Sequence, residues 1–148
     1  MPMNTIIVDD ERPARDELGF LLKGFPEVNV IAQGKNGLEA CALIKEHEPD
    51  LVFLDVQMPG LDGFGVIKRL VERKVKLPQI VFATAYDHYA LRAFEVSAVD
   101  YVLKPFDKAR IARAVPFVRP VARKISMRSP SRPGEGKTSS ILRTFLAV

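Results

Sequence analysis

Five short apolar segments recur along the chain at intervals of about two dozen residues, and amphipathic stretches separate them. This interval matches the combined length of one strand, one helix and two loops. Residues 6–8 of the first segment and 51–54 of the third are continuously apolar instead of alternating, which is typical of strands covered on both faces. The pattern therefore predicts an α/β fold, a (βα)5 doubly wound parallel sheet, with strands at residues 5–8, 28–32, 51–54, 79–83 and 99–103.

The stretches between the strands carry helical signals. Pro13 suits the first turn of the first helix, and Gly24 lies near its end. The second helix is expected to end before Pro49, and the fifth, at residues 108–115, is stopped or kinked by Pro116. Apolar or bracketing residues at helical spacing define the first four helices in turn: Leu18, Leu21, Leu22 and Phe25; Leu38, Ala42 and Lys45; Phe64, Ile67 and Val71; Tyr89, Ala90, Ala93 and Phe94.

Charge divides the chain of 148 residues into two parts. Residues 1–115 hold 15 Lys and Arg against 17 Asp and Glu, a net charge of −2, whereas residues 116–148 hold 7 against 1, a net charge of +6. Four prolines lie between positions 116 and 133, among Ser, Arg and Gly. We predict one folded domain at residues 1–115, followed at 116–148 by a basic linker or tail rich in Pro, Ser and Arg.

Several classes of protein are excluded by composition. The single cysteine, Cys41, rules out a disulfide framework and a multi-cysteine zinc site. No apolar run is long enough to cross a membrane, and the residues after Met1 lack the pattern of a signal peptide. A soluble, cytoplasmic protein is expected.

Acidic and basic side chains follow the predicted strands. Asp9 and Asp10 come after the first strand, Asp55 after the third, Thr84 after the fourth and Lys104 after the fifth. In an open parallel sheet these positions meet at one edge, where ligands bind. Clustered carboxylates favour a hard cation such as Mg2+, and an aspartate beside it can attack phosphorus. A hydroxyl and an ammonium group could then neutralise phosphoryl oxygens.

Four motifs resemble those of the receiver domain of bacterial two-component response regulators. They are VDDE at 8–11, LDVQMPGLDG at 54–63, ATA at 83–85 and YVLKPF at 101–106, in the order and spacing of that family. The resemblance covers about residues 4–115. The stretch TAYDHYALRAF at 84–94 is similar to the LytTR-type subgroup in particular.

The resemblance implies a role for each matching residue. Asp55 would be the phosphoacceptor, and Thr84 and Lys104 would contact the phosphoryl group. Mg2+, for which Mn2+ can substitute, would be bound by Asp10 directly, by Asp9 through water, by Asp55 and by the backbone carbonyl of Gln57. Tyr101 would rotate when Thr84 moves, and the Lys104–Pro105 peptide bond would be cis. The fold would be flavodoxin-like, with strand order 2-1-3-4-5.

The same resemblance implies a signalling domain in a phosphorelay instead of a turnover enzyme. A sensor histidine kinase would donate the phosphoryl group, and the face formed by helix 4, strand 5 and helix 5 would change. Phosphorylation is expected to promote a homodimer through apolar residues there, unless they all pack inward: Tyr89, Ala93, Phe94, Val96 and Val99. LytTR-type regulators bind DNA through a C-terminal domain of about a hundred residues, for which the 33 residues after position 115 are too few.

Other interpretations of these residues remain open. Asp9 and Asp10 could cap the first helix, and Asp62-Gly63 reads as a turn without chemistry. The chain could be an adaptor that keeps the fold without being phosphorylated. A phosphohydrolase of the haloacid dehalogenase type also uses a strand-end aspartate and Mg2+, but it needs a second aspartate two residues later, where this chain has Gln57.

Overall fold

The computed structural model describes residues 2–115 and contains five strands that alternate with five helices. The predicted (βα)5 order is therefore confirmed. The elements are β1 (Met3–Val8), α1 (Arg12–Leu22), β2 (Val28–Gly34), α2 (Gly37–His47), β3 (Leu51–Leu54), α3 (Gly63–Glu72), β4 (Gln79–Thr84), α4 (Ala90–Glu95), β5 (Asp100–Leu103) and α5 (Lys108–Ala114). The tail predicted at residues 116–148 lies outside the described residues.

All five strands pair in parallel, in the order β2-β1-β3-β4-β5. This is the doubly wound, flavodoxin-like arrangement that the resemblance implied. The central strand β3 is buried at all four positions, in agreement with its continuous apolar sequence. Strand β2 is longer than predicted because its pairing with β1 continues to Gly34, opposite Val8.

Two hydrophobic clusters lie on opposite faces of the sheet. One packs α2, α3 and α4, for example through Ile44, Ile67 and Ala93, against the sheet. The other packs α1 and α5, for example through Leu18 and Ile111. Helices on both faces leave the two ends of the strands accessible, and the residues of the candidate site follow the carboxyl ends.

The helix starts differ in part from the sequence prediction. Asp62, predicted to belong to a simple turn, caps α3 by accepting a hydrogen bond from the backbone N–H of Gly65 at 2.7 Å. The residue before α1 is Glu11, so neither Asp9 nor Asp10 is its N-cap.

The buried face of α3 also differs from the prediction. It includes Leu70, whereas the predicted face residue Val71 is 55% exposed.

The five apolar residues expected around α4 and β5 divide between the core and the surface. Ala93 and Val99 are buried in the two cores, while Tyr89, Phe94 and Val96 are half-buried. The large apolar side chain that α4 exposes is Leu91, which is 69% accessible. Two of the five residues therefore belong to the core, while three keep part of their surface accessible, and the homodimer through this face stays a prediction.

Among residues 2–115, no helix has both the length and the apolar character needed to span a membrane.

Candidate functional site

Carboxylates from two neighbouring strands meet at the carboxyl edge of the sheet. Asp9 and Asp10 follow β1, and Asp55 follows β3, which pairs with β1 in parallel. One carboxylate oxygen from each of the three residues lies within 4.8 Å of the others. Asp9 and Asp55 are 5% exposed, while Asp10 faces solvent. Three oxygen ligands this close together suit a hard divalent cation.

The pKa of the Asp55 carboxyl group lies well above its usual value. Burial and the negative charge of Asp9 raise the pKa of Asp55 from 3.8 to about 6, although Lys104 and a hydrogen bond with Thr84 act in the opposite direction. The site therefore holds its central carboxylate in an environment that disfavours negative charge. A cation at this position would relieve that cost.

Lys104 supplies positive charge to the cluster. Its Nζ lies 2.7 Å from Asp9 Oδ2, 3.3 Å from Asp55 Oδ2 and 4.0 Å from Glu11 Oε1. Burial lowers the pKa of Lys104, but the hydrogen bond to Asp9 and the charges of Asp55 and Asp9 outweigh burial, so the pKa is raised. Lys104 is thus held in its charged form. The peptide bond from Lys104 to Pro105 is cis.

Thr84 and Tyr101 lie next to the cluster, on β4 and β5. Thr84 is fully buried, and its hydroxyl hydrogen-bonds Asp55 and accepts weakly from the Tyr86 N–H at 3.4 Å. Tyr101 is 2% exposed, and its hydroxyl donates to the backbone carbonyl of Tyr86 and accepts from the Tyr89 N–H at 3.2 Å. Burial raises the pKa of Tyr101 to about 12. The phenol therefore joins β5 to the loop that carries α4.

Gln57 lies two residues beyond Asp55 and is exposed. Its side-chain amide does not point into the acidic cluster, because Nε2 donates to the Tyr89 hydroxyl at 3.0 Å. Both residues line the cavity in front of Asp55, together with Asp10, Glu11 and Lys104.

The family model for the response regulator receiver domain matches residues 5–116, which is most of the chain. The chain belongs to the response regulator receiver family. The receiver is 47% identical over 123 residues to the sensory transduction protein LytT of Bacillus subtilis, an alignment that covers 83% of this chain and 51% of LytT. It is 46% identical over 114 residues to the positive alginate biosynthesis regulatory protein of Pseudomonas aeruginosa. That alignment covers 76% of this chain and 46% of the relative. The chain thus spans about half the length of these relatives.

Solved receiver structures agree with the fold. The response regulatory domain of mrkE from Klebsiella pneumoniae is 33% identical with a TM-score of 0.70, and the match covers 78% of this chain and 94% of that one. A chain of the CheX–CheY–BeF3–Mg2+ complex from Borrelia burgdorferi is 27% identical with a TM-score of 0.71. The match covers 80% of this chain and 92% of that one. The LytTR-type resemblance of the receiver is confirmed by its LytT relatives.

Sequence reasoning missed two features near the receiver site. A Cβ on Gly63 would lie 2.5 Å from the carbonyl oxygen of Asp55, so only glycine fits this first position of α3. Asp100 is completely buried and pairs with Arg110 at 3.1 Å. A charged residue directly before the apolar strand residues 101–103 was a usable signal for such a buried pair.

Proposed function

We propose that this receiver catalyses transfer of a phosphoryl group from the phosphohistidine of a sensor histidine kinase to Asp55. The observation that carries the proposal is the position of Asp55: a buried carboxylate at the end of β3, with Lys104 at 3.3 Å and two further aspartates beside it. A carboxylate is a competent nucleophile toward phosphorus when the oxygens of the phosphoryl group are neutralised.

The acidic cluster fits a Mg2+ ion, and Mn2+ would be accepted for the same reason. Asp9, Asp10 and Asp55 offer oxygens that already lie within 4.8 Å of one another, and the backbone carbonyl of Gln57 would add a fourth. When bound, the ion supplies positive charge that neutralises the phosphoryl oxygens. Magnesium prefers oxygen ligands and keeps several waters, which suits an open cluster with Asp10 on the solvent side.

Lys104 and Thr84 would position the phosphoryl group after transfer. Lys104 stays charged because Asp9 and Asp55 raise its pKa above the usual value, so its ammonium can donate to a phosphoryl oxygen. The buried hydroxyl of Thr84 already hydrogen-bonds Asp55 and would donate to the new group. Both residues therefore act directly on the reacting atoms.

The output would be a change in the face made by α4, β5 and α5. Tyr101 hydrogen-bonds the backbone of Tyr86 and Tyr89, immediately before α4. A movement of Thr84 toward the phosphoryl group would favour this inward position of Tyr101. Phosphorylation would then shift the population between two arrangements of this face. Self-association through the face, at the half-buried Phe94 and the exposed Leu91, stays a proposal.

The decisive experiment is Mg2+-dependent phosphorylation by acetyl phosphate, followed by intact-mass spectrometry. The wild-type chain should gain one phosphoryl group in Mg2+ and none in EDTA, and Asp55→Asn should gain none in either. Asp87→Asn, which changes an exposed carboxylate on the same edge, is the matched control and should behave like wild type. A phosphoryl group on Asp55→Asn would refute the assignment.

A further inference from the structure

The cavity in front of Asp55 has two chemically different walls. It has a volume of about 520 Å3. Carboxylates line one part, namely Asp10, Glu11 and Asp62, while aromatic rings line another, namely Tyr86 and Tyr89. Any group that leaves the phosphorus atom during transfer must pass through this cavity, because the leaving atom stands opposite the attacking oxygen of Asp55.

Tyr89 is the better fixed of the two aromatic residues. Its hydroxyl accepts a hydrogen bond from Gln57 Nε2 at 3.0 Å, and its backbone N–H donates to Tyr101. Its ring centroid lies 5.9 Å from that of Phe64 and 4.2 Å from that of His88. Tyr89 is half-buried, whereas Tyr86 is 42% exposed. The side chain of Tyr89 is therefore held by contacts with Gln57, Phe64 and His88.

We infer that Tyr89 is a specificity-determining residue that makes this site prefer phosphoryl donors with a neutral aromatic leaving group. The inference rests on the proposed transfer to Asp55. An imidazole ring can pack against a fixed phenol ring, which adds stabilisation beyond the area buried. A carboxylate leaving group gains no such contact with the ring, so the ring favours the aromatic leaving group.

The two donor classes differ in where the negative charge goes. In protonated phosphoimidazole the P–N bond breaks, its electron pair stays on nitrogen, and neutral imidazole departs while a P–O bond forms to Asp55. In acetyl phosphate the P–O bond breaks and its electron pair leaves with acetate, which carries a full negative charge. Only the first product is a neutral aromatic ring that can pack against Tyr89.

The test compares two donors on the same preparation of the whole chain of 148 residues in Mg2+. The second-order rate constants of Asp55 phosphorylation by phosphoimidazole and by acetyl phosphate are measured by intact mass, and their ratio is formed. Any inactive fraction of a variant cancels in this ratio. Tyr89→Leu should lower the ratio roughly two- to tenfold, the range expected for one aromatic contact, whereas Tyr89→Phe should keep most of it.

Phe20→Leu is the matched control, because it makes the same kind of change at a ring on α1 that is 73% exposed and does not line the cavity. Its ratio should equal that of wild type. A ratio that Tyr89→Leu leaves unchanged, or that Tyr89→Phe lowers as much as Tyr89→Leu, would overturn the inference while leaving the proposed function intact. Failure of both donors to phosphorylate wild-type Asp55 would instead refute the proposed function, and the inference with it.

Discussion

Replacing Asp55 by asparagine should stabilise the metal-free protein at neutral pH. The wild-type carboxyl group has a pKa of about 6 in the folded chain, because burial and Asp9 oppose its ionisation. Above this pH the folded protein carries a charge that it accommodates poorly. Asparagine has the same shape and no charge, so the substitution removes the cost and keeps the packing.

The size of the effect follows from the pKa difference between the folded and unfolded chain. Each pKa unit corresponds to about 1.4 kcal/mol. A pKa raised from 3.8 to about 6 therefore lowers the free energy of unfolding by about 3 kcal/mol once Asp55 is ionised. The loss of the Lys104 contact at 3.3 Å offsets part of this gain, so we expect a net stabilisation of about 1–3 kcal/mol at pH 7.5.

The sign of the pH dependence is fixed by which state binds the proton more tightly. Between pH 4 and 6 the folded state holds a proton on Asp55 that the unfolded state has lost, so wild-type stability falls as the pH rises through this window. Urea unfolding in EDTA at pH 4.0 and 7.5 measures both proteins. The advantage of Asp55→Asn should be small at pH 4.0 and reach its full value at pH 7.5.

The exposed carboxylate of Asp87 provides the matched control. Asp87→Asn removes an exposed carboxylate and should change stability by less than about 0.5 kcal/mol at either pH. If Asp55→Asn destabilises the protein at pH 7.5, or if its effect is the same at both pH values, the argument that ionised Asp55 is disfavoured by its surroundings is wrong.

Three further changes test other parts of the structure. Asp10→Ala should weaken Mg2+ binding, measured by isothermal titration calorimetry, more than Asp9→Ala does, because Asp9 is already occupied by Lys104 at 2.7 Å. Arg110→Met should lower the free energy of unfolding in urea by about 3–5 kcal/mol, since it leaves the carboxylate of Asp100 buried without its partner. Gly63→Ala should lower the melting temperature, at a cost of about 1–3 kcal/mol, because its Cβ would meet the Asp55 carbonyl at 2.5 Å.

Each of these has a result that would contradict it. Equal or reversed losses of Mg2+ affinity would refute the ordering of the two aspartates. Arg110→Met with wild-type stability would mean that Asp100 finds another partner. For Gly63, the control is Gly19→Ala in α1, where the nearest atom is 3.6 Å from the new Cβ and no loss is expected. Equal effects of the two glycine substitutions would rule out the close contact as the cause.

The fold could be predicted because parallel strands buried on both faces must be continuously apolar. Segment 51–54 shows this directly, and all four of its residues are buried. Segment boundaries were less accurate where pairing decided them: β2 runs on to Gly34 because β1 offers a partner there. The buried face of α3 was predicted wrongly because two neighbouring positions, Leu70 and Val71, are both apolar. Only the packing of the helix determines which of the two is buried.

The acidic residues of the site could be predicted because the carboxyl ends of parallel strands must meet. The side-chain contacts within the site could not be predicted from the sequence. Nothing in the sequence near Gln57 indicates that its amide bonds the hydroxyl of Tyr89, 32 residues away. Likewise, the pairing of Lys104 with Asp9 at 2.7 Å depends on how two strands are placed, which the spacing of motifs leaves open.

The parallel sheet also suggests where this receiver can be labelled. Because every strand runs the same way, the connections from helix to following strand all lie at the amino end, about one strand length from Asp55. The connection between α3 and β4 is one of them, with Lys74 and Lys76 exposed and Val75 packed against the core. A fluorescent reporter inserted between Lys76 and Leu77 would lie far from Asp55, the proposed phosphorylation site, and would stay joined through β4 to Thr84.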